Sequence, residues 1–489
     1  MDDPSYEDAA APQRQRADAV AHRERILTAA ASLLSDRRTS MAQVAAAADV
    51  SRSTLYRHFP TRRDLADALA ERERDGALSG REVTFDARAD TFAASSFQPP
   101  GQLGRARPLA LEVTHILDEI PPHLIADQLV AEARRAAGVA VALYVVDIDG
   151  SELVRLAGSE DFPERLQAPP ALGPEIVPEG LPQFYERLKR DLPRCVAQPL
   201  WLRGRVLGLL LCVGQPLVSL QDIAKQGAAA LELANDYTDL IESARRRKPT
   251  TAAAEVQHHL LPPRIVHVTG AQVAGGLLPT YAVGGDWFDF VENRDGAWLV
   301  IADAAGHGPT AAGLSAAALG ALRAARRSGC DLVEAAATMD EVVRALGNPE
   351  FSVTAILARW HAPTATLAWV NCDHPPAQLV SPDGSFTALA GPVHPPLGSG
   401  AGSGAAPARY EASVVQLDPG ERVVLLSDGI IERAVRGGGV FGLGRVRDAV
   451  ASAPAPTAAA TAMAILDAVA SAWSKPLQDD ATLAVLAVD

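Results

Sequence analysis

The segment from Asp286 to Asp303 constrains the fold of this 489-residue chain more than any other. Two apolar runs flank Asn293-Arg294-Asp295-Gly296, which is a turn signal typical of a β-hairpin. With Arg294 and Asp295 as the central turn residues, Asp286 lies directly opposite Asp303; a turn shifted by one residue makes the pair diagonal on the same face. Like charges directly opposite one another destabilise a sheet. The hairpin therefore predicts a cation bound between these two carboxylates.

Two further aspartates stand in similar places. Asp428 ends the apolar run 423–427, and Asp479 precedes the apolar run 481–486. If these runs are antiparallel neighbours, both carboxylates gather at one sheet edge. Oxygen ligands suit hard cations such as Mg²⁺ or Mn²⁺, and two such ions would activate a water and clamp a phosphoryl group for in-line attack. A single Asp beside Gly is usually only a turn residue, but that explanation is poor for all four aspartates together. Asp480 stays an alternative ligand to Asp479.

The segments that carry these aspartates resemble, in chain order, the signatures of the bacterial PPM (2C-type) protein phosphatases of the SpoIIE-like branch. Four segments carry the resemblance, and two others support it: Gly284–Asp289, Asp303–Gly308, Ser427–Gly429 and Asp479–Thr482, with His259–Pro262 and Asn371–Pro376 in support. The resemblance extends from about residue 260 onward. It implies an α/β/β/α sandwich with a two-metal site at one edge and protein-serine/threonine phosphatase activity that depends on Mn²⁺ or Mg²⁺.

The resemblance also implies a role for each ligand. Asp303 would bridge both ions. Asp428 and Asp479 would complete the shell of one ion, whereas Asp286 and the main-chain carbonyl of Ala304 would bind the other. The four aspartates are therefore the expected catalytic set, and with Ala304 they are the expected metal ligands.

The chain departs from the family pattern at two places. Asp373 stands where the family usually has Gly before the histidine of the middle motif, and residues 304–306 read Ala-Ala-Gly where the family usually has Gly between Val and His, with Val or Met ahead. Neither departure removes a ligand side chain. His307 and His374 are candidate acid–base groups. His307 stands beside glycine turns, where histidines often bond only to backbone, and His374 is expected to be structural. A metal-activated water needs no separate base.

The N-terminal helical region is basic in an acidic chain. Between Arg14 and Asp75 there are 12 arginines and 9 acidic residues, a net charge of +3 in a chain of net charge −14. Ser40 is placed to cap a short helix, and a break at 49–51 precedes a second helix that Pro60 ends. Two short helices joined by a tight turn predict a helix-turn-helix, whose second helix would enter the major groove of DNA.

Residues 39–69 closely resemble the DNA-binding head of TetR-type repressors. The resemblance places Leu55 and Phe59 in the core and implies contacts to DNA, mainly to phosphates, from a polar set. That set is Ser51, Arg52, Thr54, Tyr56, Arg57 and His58, with Arg62 and Arg63 beyond. Ser53 replaces the usual Gly. Such heads bind DNA as dimers. The alternative is a three-helix bundle that binds protein.

The middle of the chain resembles a GAF sensor domain. A helix over 129–137, a strand over 139–146 and a hairpin around Arg203-Gly204-Arg205 carry the resemblance. No residue identifies a ligand, and a role as spacer or dimerisation element is an equal alternative. Ser219–Arg247 is predicted as one long helix, and a helix of this length between two domains commonly pairs with its twin. We therefore expect a homodimer.

The predicted organisation is multidomain. The expected domains are a disordered tail (1–20), a TetR-type helix-turn-helix (21–78), a linker (79–105), an α+β GAF-like sensor ending in the long helix (106–245), a connector (246–262) and the phosphatase (263–489). Gly398–Ala406 is predicted as a flexible loop. Four dispersed cysteines predict reduced thiols without a cysteine zinc site, and the lack of a signal peptide or an 18-residue apolar run predicts a cytoplasmic protein.

Three functions are compatible with the sequence. The favoured one is a metal-dependent protein phosphatase with a sensor and a DNA-binding head. The family resemblance suggests a regulatory phosphoprotein as its substrate, such as a phosphorylated anti-anti-sigma factor. The second is a DNA-binding transcriptional regulator in which the phosphatase-like domain is a sensor or scaffold. The third keeps the enzyme and makes the head a protein-docking bundle.

Overall fold

The computed structural model of the chain describes residues 25–30, 41–50, 54, 55, 59, 65, 68, 120–278, 284–399, 408–472, 477 and 479–489. By its internal contacts the chain divides into two compact units, Met1–Gly104 and Arg105–Asp489. Most of the predicted loop Gly398–Ala406 lies outside the described residues.

The first unit contains the first of the two predicted short helices, and of the second only Thr54 and Leu55 are described as helical. Residues 25–30 are helical, and helix α1 spans Met41–Ala47. Asp49 follows in the left-handed conformation (φ 52°), and the Val50 amide donates to the Ala45 carbonyl, which closes the turn. Leu55 and Phe59 are buried with residues of the first two helices, so their predicted place in the core is confirmed. The predicted cap, Ser40, lies outside the described residues.

The second unit begins with an α+β region around one sheet. Strand order is β3-β2-β1-β7-β5-β4, and β6 also pairs with β7. The strands are β1 (Val141–Val146), β2 (Glu152–Gly158), β3 (Arg165–Gln167), β4 (Ala171–Leu172), β5 (Glu175–Ile176), β6 (Cys195–Leu202) and β7 (Arg205–Val213). The hairpin of β6 and β7 turns at Arg203-Gly204, as predicted. Both residues of the turn have positive φ. Its identification as a GAF-like domain stays a prediction.

Helices cover both faces of this sheet. They are α2 (Ile125–Ala137), α3 (Leu181–Asp191), α4 (Gln221–Asn235) and α5 (Leu240–Arg245). Helices α2 and α4 pack on one face of the sheet, and α3 packs on the other. Leu143 and Leu210 belong to the first of these cores, Tyr144 and Leu209 to the second.

The single long helix predicted for Ser219–Arg247 is wrong. Helix α4 ends at Asn235, residues 236–239 form a turn, and α5 starts at Leu240. The break reads Asn-Asp-Tyr-Thr-Asp. These residues are weak helix formers, and short polar side chains compete for backbone hydrogen bonds. The Asn235 amide donates to the Glu242 carboxylate at 3.3 Å, which ties the second helix back to the first.

The rest of the unit contains two stacked sheets. One has the order β10-β11-β12-β13-β16 with β17 beside β13, and the other has the order β15-β14-β18-β19-β9-β8. The strands are β8 (Ile265–Val268), β9 (Ala271–Leu278), β10 (Asp286–Asn293), β11 (Gly296–Ala304), β12 (Val353–His361), β13 (Thr366–Cys372), β14 (Gln378–Val380), β15 (Phe386–Ala388), β16 (Val393–His394), β17 (Ser413–Gln416), β18 (Arg422–Leu426) and β19 (Ala481–Val488).

Helices cover the outer faces of both sheets. They are α6 (Ala252–Leu260), α7 (Gly308–Arg327), α8 (Leu332–Ala345), α9 (Asp428–Ile431), α10 (Gly442–Ser452) and α11 (Ala458–Ala472). Helices α7 and α8 pack on the sheet that contains β11, and α10 and α11 pack on the sheet that contains β18. The inner faces meet through Phe288, Ile301, Leu425 and Ala484. Helix–sheet–sheet–helix layering confirms the predicted α/β/β/α sandwich.

All four cysteines are unpaired, as predicted. Within the part of the chain that the structure describes, no helix is both long and apolar enough to span a bilayer.

Candidate active site

The two aspartates of the hairpin face each other across neighbouring strands. Asp286 is the first residue of β10 and pairs with Asp303 of β11, while Asn293 pairs with Gly296 around the Arg294-Asp295 turn. The predicted register is confirmed. Asp286 is buried, with 2% of its surface exposed, and Asp303 is half-buried.

The second pair of aspartates meets at the ends of β18 and β19. These strands are antiparallel neighbours, as predicted, and Leu426 pairs with Leu483 next to the carboxylates. Asp428 is the first residue of α9, directly after β18. Asp428 and Asp479 line one small cavity of about 210 Å³, together with Glu432 and Arg433. The cavity is open to solvent on the side of Asp479, which is exposed.

Three glycines make room for this arrangement. A Cβ at Gly285 would lie 1.9 Å from the carbonyl oxygen of Ala304, and a Cβ at Gly284 would lie 2.4 Å from the carboxylate of Asp480. A Cβ at Gly429 would lie 1.9 Å from the Asp480 carbonyl oxygen. Any side chain at these positions would push apart the strands that carry the aspartates. The glycines of the sequence motifs are therefore required for close approach of backbone.

The carboxylates interact strongly. Burial raises the pKa of Asp286 well above its usual value, and the charges of Asp303 and Asp480 raise it further. Burial also raises the pKa of Asp303 to about 6; a side-chain hydrogen bond to Asp286 lowers it, and Asp428 and Asp479 raise it. The pKa of Asp303 therefore depends both on Asp286 and on the second pair, Asp428 and Asp479. Removing carboxylates from water and placing them near like charges disfavours their ionised form.

One oxygen of this cluster has no well-formed hydrogen bond. Oδ2 of Asp286 is buried and has no partner of good geometry among the described residues, although the hydroxyls of Ser427 and Thr482 interact with this carboxyl and lower its pKa. A buried acceptor without a partner is costly, and a cation is a natural partner for it. Among the described residues, however, no three Asp, Glu, His or Cys side chains converge closely enough to hold a metal ion as they stand. The carboxylates lie in two neighbouring pairs.

Asp480 differs from Asp479 in its surroundings. Its Oδ2 accepts hydrogen bonds from the Gln257 side chain at 3.0 Å and from the Gly284 amide at 3.0 Å, and the residue is 3% exposed. Burial raises the pKa of Asp480 to about 7. Asp480 therefore braces the loop before β10, whereas Asp479 points to the solvent-accessible cavity.

Sequence reasoning missed two residues that position the site. Gln257 of α6 is buried and also donates to the main-chain oxygen of Asp286 at 2.8 Å. The hydroxyl of Ser315 in α7 donates to the carbonyl oxygen of Gly285 at 2.7 Å. Gln257 is one of several polar residues of α6, and Ser315 lies among the alanines of α7. The one sequence signal for them is a polar residue on a helix face that is otherwise apolar and therefore faces inward.

Asp289 belongs to the same motif as Asp286 but has a different role. Its carboxylate accepts from Arg323 at 2.9 Å and from Arg326 at 2.8 Å, both on α7. Arg323 also donates to the Leu260 carbonyl at 2.8 Å. Asp289 thus anchors α7 and the end of α6 to the strand that carries Asp286.

The two candidate histidines occupy different environments. His307 is exposed and precedes the first residue of α7. His374 is buried, its Nδ1 lies 3.0 Å from the Thr354 hydroxyl, and burial lowers its pKa to about 3. Asn371 holds the turn around it by bonding to its amide and its carbonyl. His374 therefore stays neutral and is structural, as expected.

The predicted DNA-contacting residues of the head lie mostly outside the described part of the chain. This holds for Ser51, Arg52, Tyr56, Arg57 and His58. Thr54 is described and is half-buried beside the core residue Leu55.

Comparison with known families supports both ends of this architecture. Residues 293–489 match the family described as stage II sporulation protein E (SpoIIE), and residues 26–69 match the bacterial regulatory proteins of the tetR family. The SpoIIE match includes Asp303, Asp428 and Asp479, and it begins after Asp286.

Solved structures similar to this chain include proteins from three bacteria. The SiaA-PP2C domain of Pseudomonas aeruginosa is 23% identical, with 48% of this chain and 94% of that chain covered and a TM-score of 0.41. The RsbU and RsbW domains of Rv1364c from Mycobacterium tuberculosis are 26% identical, covering 46% and 63%, with a TM-score of 0.39. The phosphatase domain of SpoIIE from Bacillus subtilis is 19% identical, covering 46% and 95%, with a TM-score of 0.34.

The chain thus carries a PPM-type (2C-type) serine/threonine phosphatase domain of the SpoIIE family in its C-terminal part and a TetR-family domain within residues 26–69.

Proposed function

We propose that this protein is a metal-dependent phosphatase that removes phosphate from serine or threonine of a regulatory phosphoprotein. Asp303, Asp428 and Asp479 would hold one divalent ion, and Asp303, Asp286 and the Ala304 carbonyl would hold the other, so that Asp303 would serve both. The observation that carries the proposal is the pairing of Asp286 with Asp303, in which a buried carboxylate oxygen has no well-formed hydrogen bond.

The donor set fits Mn²⁺ or Mg²⁺. Carboxylate and carbonyl oxygens are the ligands that these ions prefer. When bound, such ions supply Lewis-acid activation of water and neutralise phosphoryl oxygens. Burial and the repulsion between like-charged carboxylates raise the pKa of Asp303 and Asp428, and a bound cation would offset this repulsion.

The chain's own residues orient the ligands. Gln257 holds Asp480 and the Asp286 backbone, Ser315 holds the Gly285 carbonyl, and Gly285 leaves the Ala304 carbonyl free of a Cβ. Asp479 lies at the solvent side, where substrate would arrive. A small open cavity suits a phosphorylated side chain on a protein surface better than an engulfed small molecule. This favours a phosphoprotein, and the family resemblance favours an anti-anti-sigma factor.

Metal removal tests the proposed activity. Phosphate release from a phosphoserine protein, and from p-nitrophenyl phosphate, is expected to fall to background after EDTA treatment, because the carboxylates alone offer no activated water. Adding Mn²⁺ or Mg²⁺ should restore it, whereas Ca²⁺ serves as a control divalent ion with different geometry. Release that persists unchanged in EDTA would contradict the proposal.

We also propose that the TetR-family head binds DNA, with Ser51, Arg52, Thr54, Tyr56, Arg57 and His58 facing the duplex. The family match and the local net charge of +3 support this. The GAF-like middle region would then be the sensor, and the protein would act in the cytoplasm as a homodimer, because TetR-type heads bind DNA as dimers. The alternative, in which the phosphatase-like domain is only a scaffold, predicts DNA binding without phosphate release.

Salt-dependent binding to duplex DNA tests the head. Replacing both Arg52 and Arg57 by Ala is expected to weaken binding at least about tenfold and to flatten its salt dependence, because fewer phosphate contacts release fewer counterions. Arg187→Ala, far along the chain in α3, is the matched control for the loss of an arginine. A double variant that binds like the wild type would contradict the DNA proposal and favour the protein-docking bundle.

A further inference from the structure

The middle region and the phosphatase share a core. Leu172 and Val177, near β4 and β5, are buried in the same cluster as Ile265 and Leu466 of the phosphatase. The Ile265 amide donates to the Glu175 carboxylate at 3.0 Å, and both groups are buried. The contact between the two parts is therefore continuous rather than a flexible link.

A cavity of about 870 Å³ lies beside this contact. Residues of α4, α5, α6 and strand β7 line it, together with the segment before β8. Four arginines and six carboxylates contribute, so the lining has an excess of negative charge. Most of these charges are already paired. Arg205 binds Glu175 and Glu232, Arg246 binds Glu242 and Glu255, and Nη1 of Arg245 binds Glu242.

Arg264 is the exception in this lining. It is 8% exposed, and its buried Nη1 donates to no described residue. Its guanidinium lies over the Phe288 ring, 5.2 Å from the centroid, and burial lowers its pKa to about 10. The charges of Glu175 and Glu242 act on Arg264, but a buried guanidinium nitrogen without a hydrogen-bond partner is destabilising, so Nη1 favours an additional acceptor.

Two other buried polar atoms around the cavity also have no described partner. They are Nε of Arg245, which is a donor, and Oδ1 of Asn235, which is an acceptor. A ligand that satisfies all three needs an anionic acceptor for the arginines and a donor for the asparagine. The surrounding carboxylates would repel a polyanion such as a nucleotide or a polyphosphate.

We propose that this cavity binds a small organic acid with one carboxylate and one hydrogen-bond donor, of the amino-acid or hydroxy-acid class. Its carboxylate pairs with Arg264 and Arg245, and its amino or hydroxyl group donates to Asn235. Helix α6 lines the cavity with Glu255 and holds the phosphatase carboxylates with Gln257. Helix α6 thus connects the cavity with the candidate active site.

Thermal melting of the full-length protein tests the proposal without any phosphatase assay. The probes are the twenty L-amino acids, lactate and glycerate, with inorganic phosphate and ATP as comparison anions. At least one organic acid is expected to raise the melting temperature by about 2 °C or more when present at roughly 100 times its Kd. Asn235→Ala should weaken the binding of that probe about tenfold, because it removes the acceptor for the ligand's donor.

Arg264→Met is the decisive variant. It should abolish the shift caused by the probe, and without probe it should melt at or above the wild-type temperature, since burial of the Arg264 charge outweighs its attraction to Glu175 and Glu242. Arg203→Gln, an exposed arginine outside the cavity, should leave probe binding unchanged. The proposal is overturned if no organic acid in the panel shifts melting, if the shift survives in Arg264→Met, if Arg264→Met melts lower or does not fold, or if only phosphate or ATP binds.

Discussion

Replacing Asp303 by Asn is expected to lower Mn²⁺-dependent phosphate release on the order of 10³-fold, because the variant loses the one carboxylate that reaches both pairs of ligands. Asp303 lies opposite Asp286, and its pKa responds to Asp428 and Asp479 as well. The measurement is initial rate against Mn²⁺ concentration for wild type and variant. A variant that keeps more than a tenth of the activity at saturating Mn²⁺ would remove Asp303 from the proposed role.

The same variant should be at least as stable as the wild type in EDTA at pH 7.5. The folded-state pKa of Asp303, about 6, lies above its usual value. At pH 7.5, which is above both values, the ionised carboxylate therefore lowers the stability of the folded protein. A neutral Asn removes this cost. Activity that falls while the melting temperature holds would separate a functional defect from unfolding.

Asp480→Asn is the matched control for Asp479→Asn. An Asn at position 480 can still accept hydrogen bonds from Gln257 and Gly284, so activity should fall only modestly. Asp479→Asn removes a ligand charge from the cavity that it shares with Asp428 and should cause the greater loss. The reverse order would assign the metal to Asp480.

Asp289→Asn is expected to lower the free energy of unfolding by about 2–4 kcal/mol, because it leaves two arginines at a buried position without their counter-charge. Asp289 is 2% exposed and bonds to Arg323 and Arg326. Urea unfolding followed by circular dichroism measures the change.

Asp295→Asn in the exposed hairpin turn is the control and should change stability by less than about 0.5 kcal/mol. Equal effects of the two substitutions would show that the contact with α7 contributes little. Residual activity per folded molecule should remain near wild type in Asp289→Asn, since this carboxylate contacts arginines and none of the proposed ligands.

Local sequence was sufficient where the interaction is local. The turn at Arg294-Asp295 determines the register of its own hairpin, so the pairing of Asp286 with Asp303 followed from counting residues. The turn that follows α1 also depends on a short-range pattern. The same holds for the core positions Leu55 and Phe59.

The sequence pattern was not sufficient to predict the helices of residues 219–247. The apolar positions of Ser219–Arg247 suit one long helix or two short ones equally well. What separates them is the bond from Asn235 to Glu242 and the packing of Ile241 against the middle sheet, neither of which has a periodic signal.

The sequence by itself determined the hairpin that opposes two aspartates and, through its resemblance to known families, the layered fold of the phosphatase and the family of each end. Tertiary structure alone decided that Asp480 is braced by Gln257, that Asp289 binds helix α7, and that Nη1 of Arg264 is buried beside a cavity without a hydrogen bond from the described residues. These contacts join residues tens to hundreds of positions apart, such as Gln257 and Asp480. Hydrogen bonding and burial between distant segments depend on how whole elements pack, and periodicity along the chain carries no record of that packing.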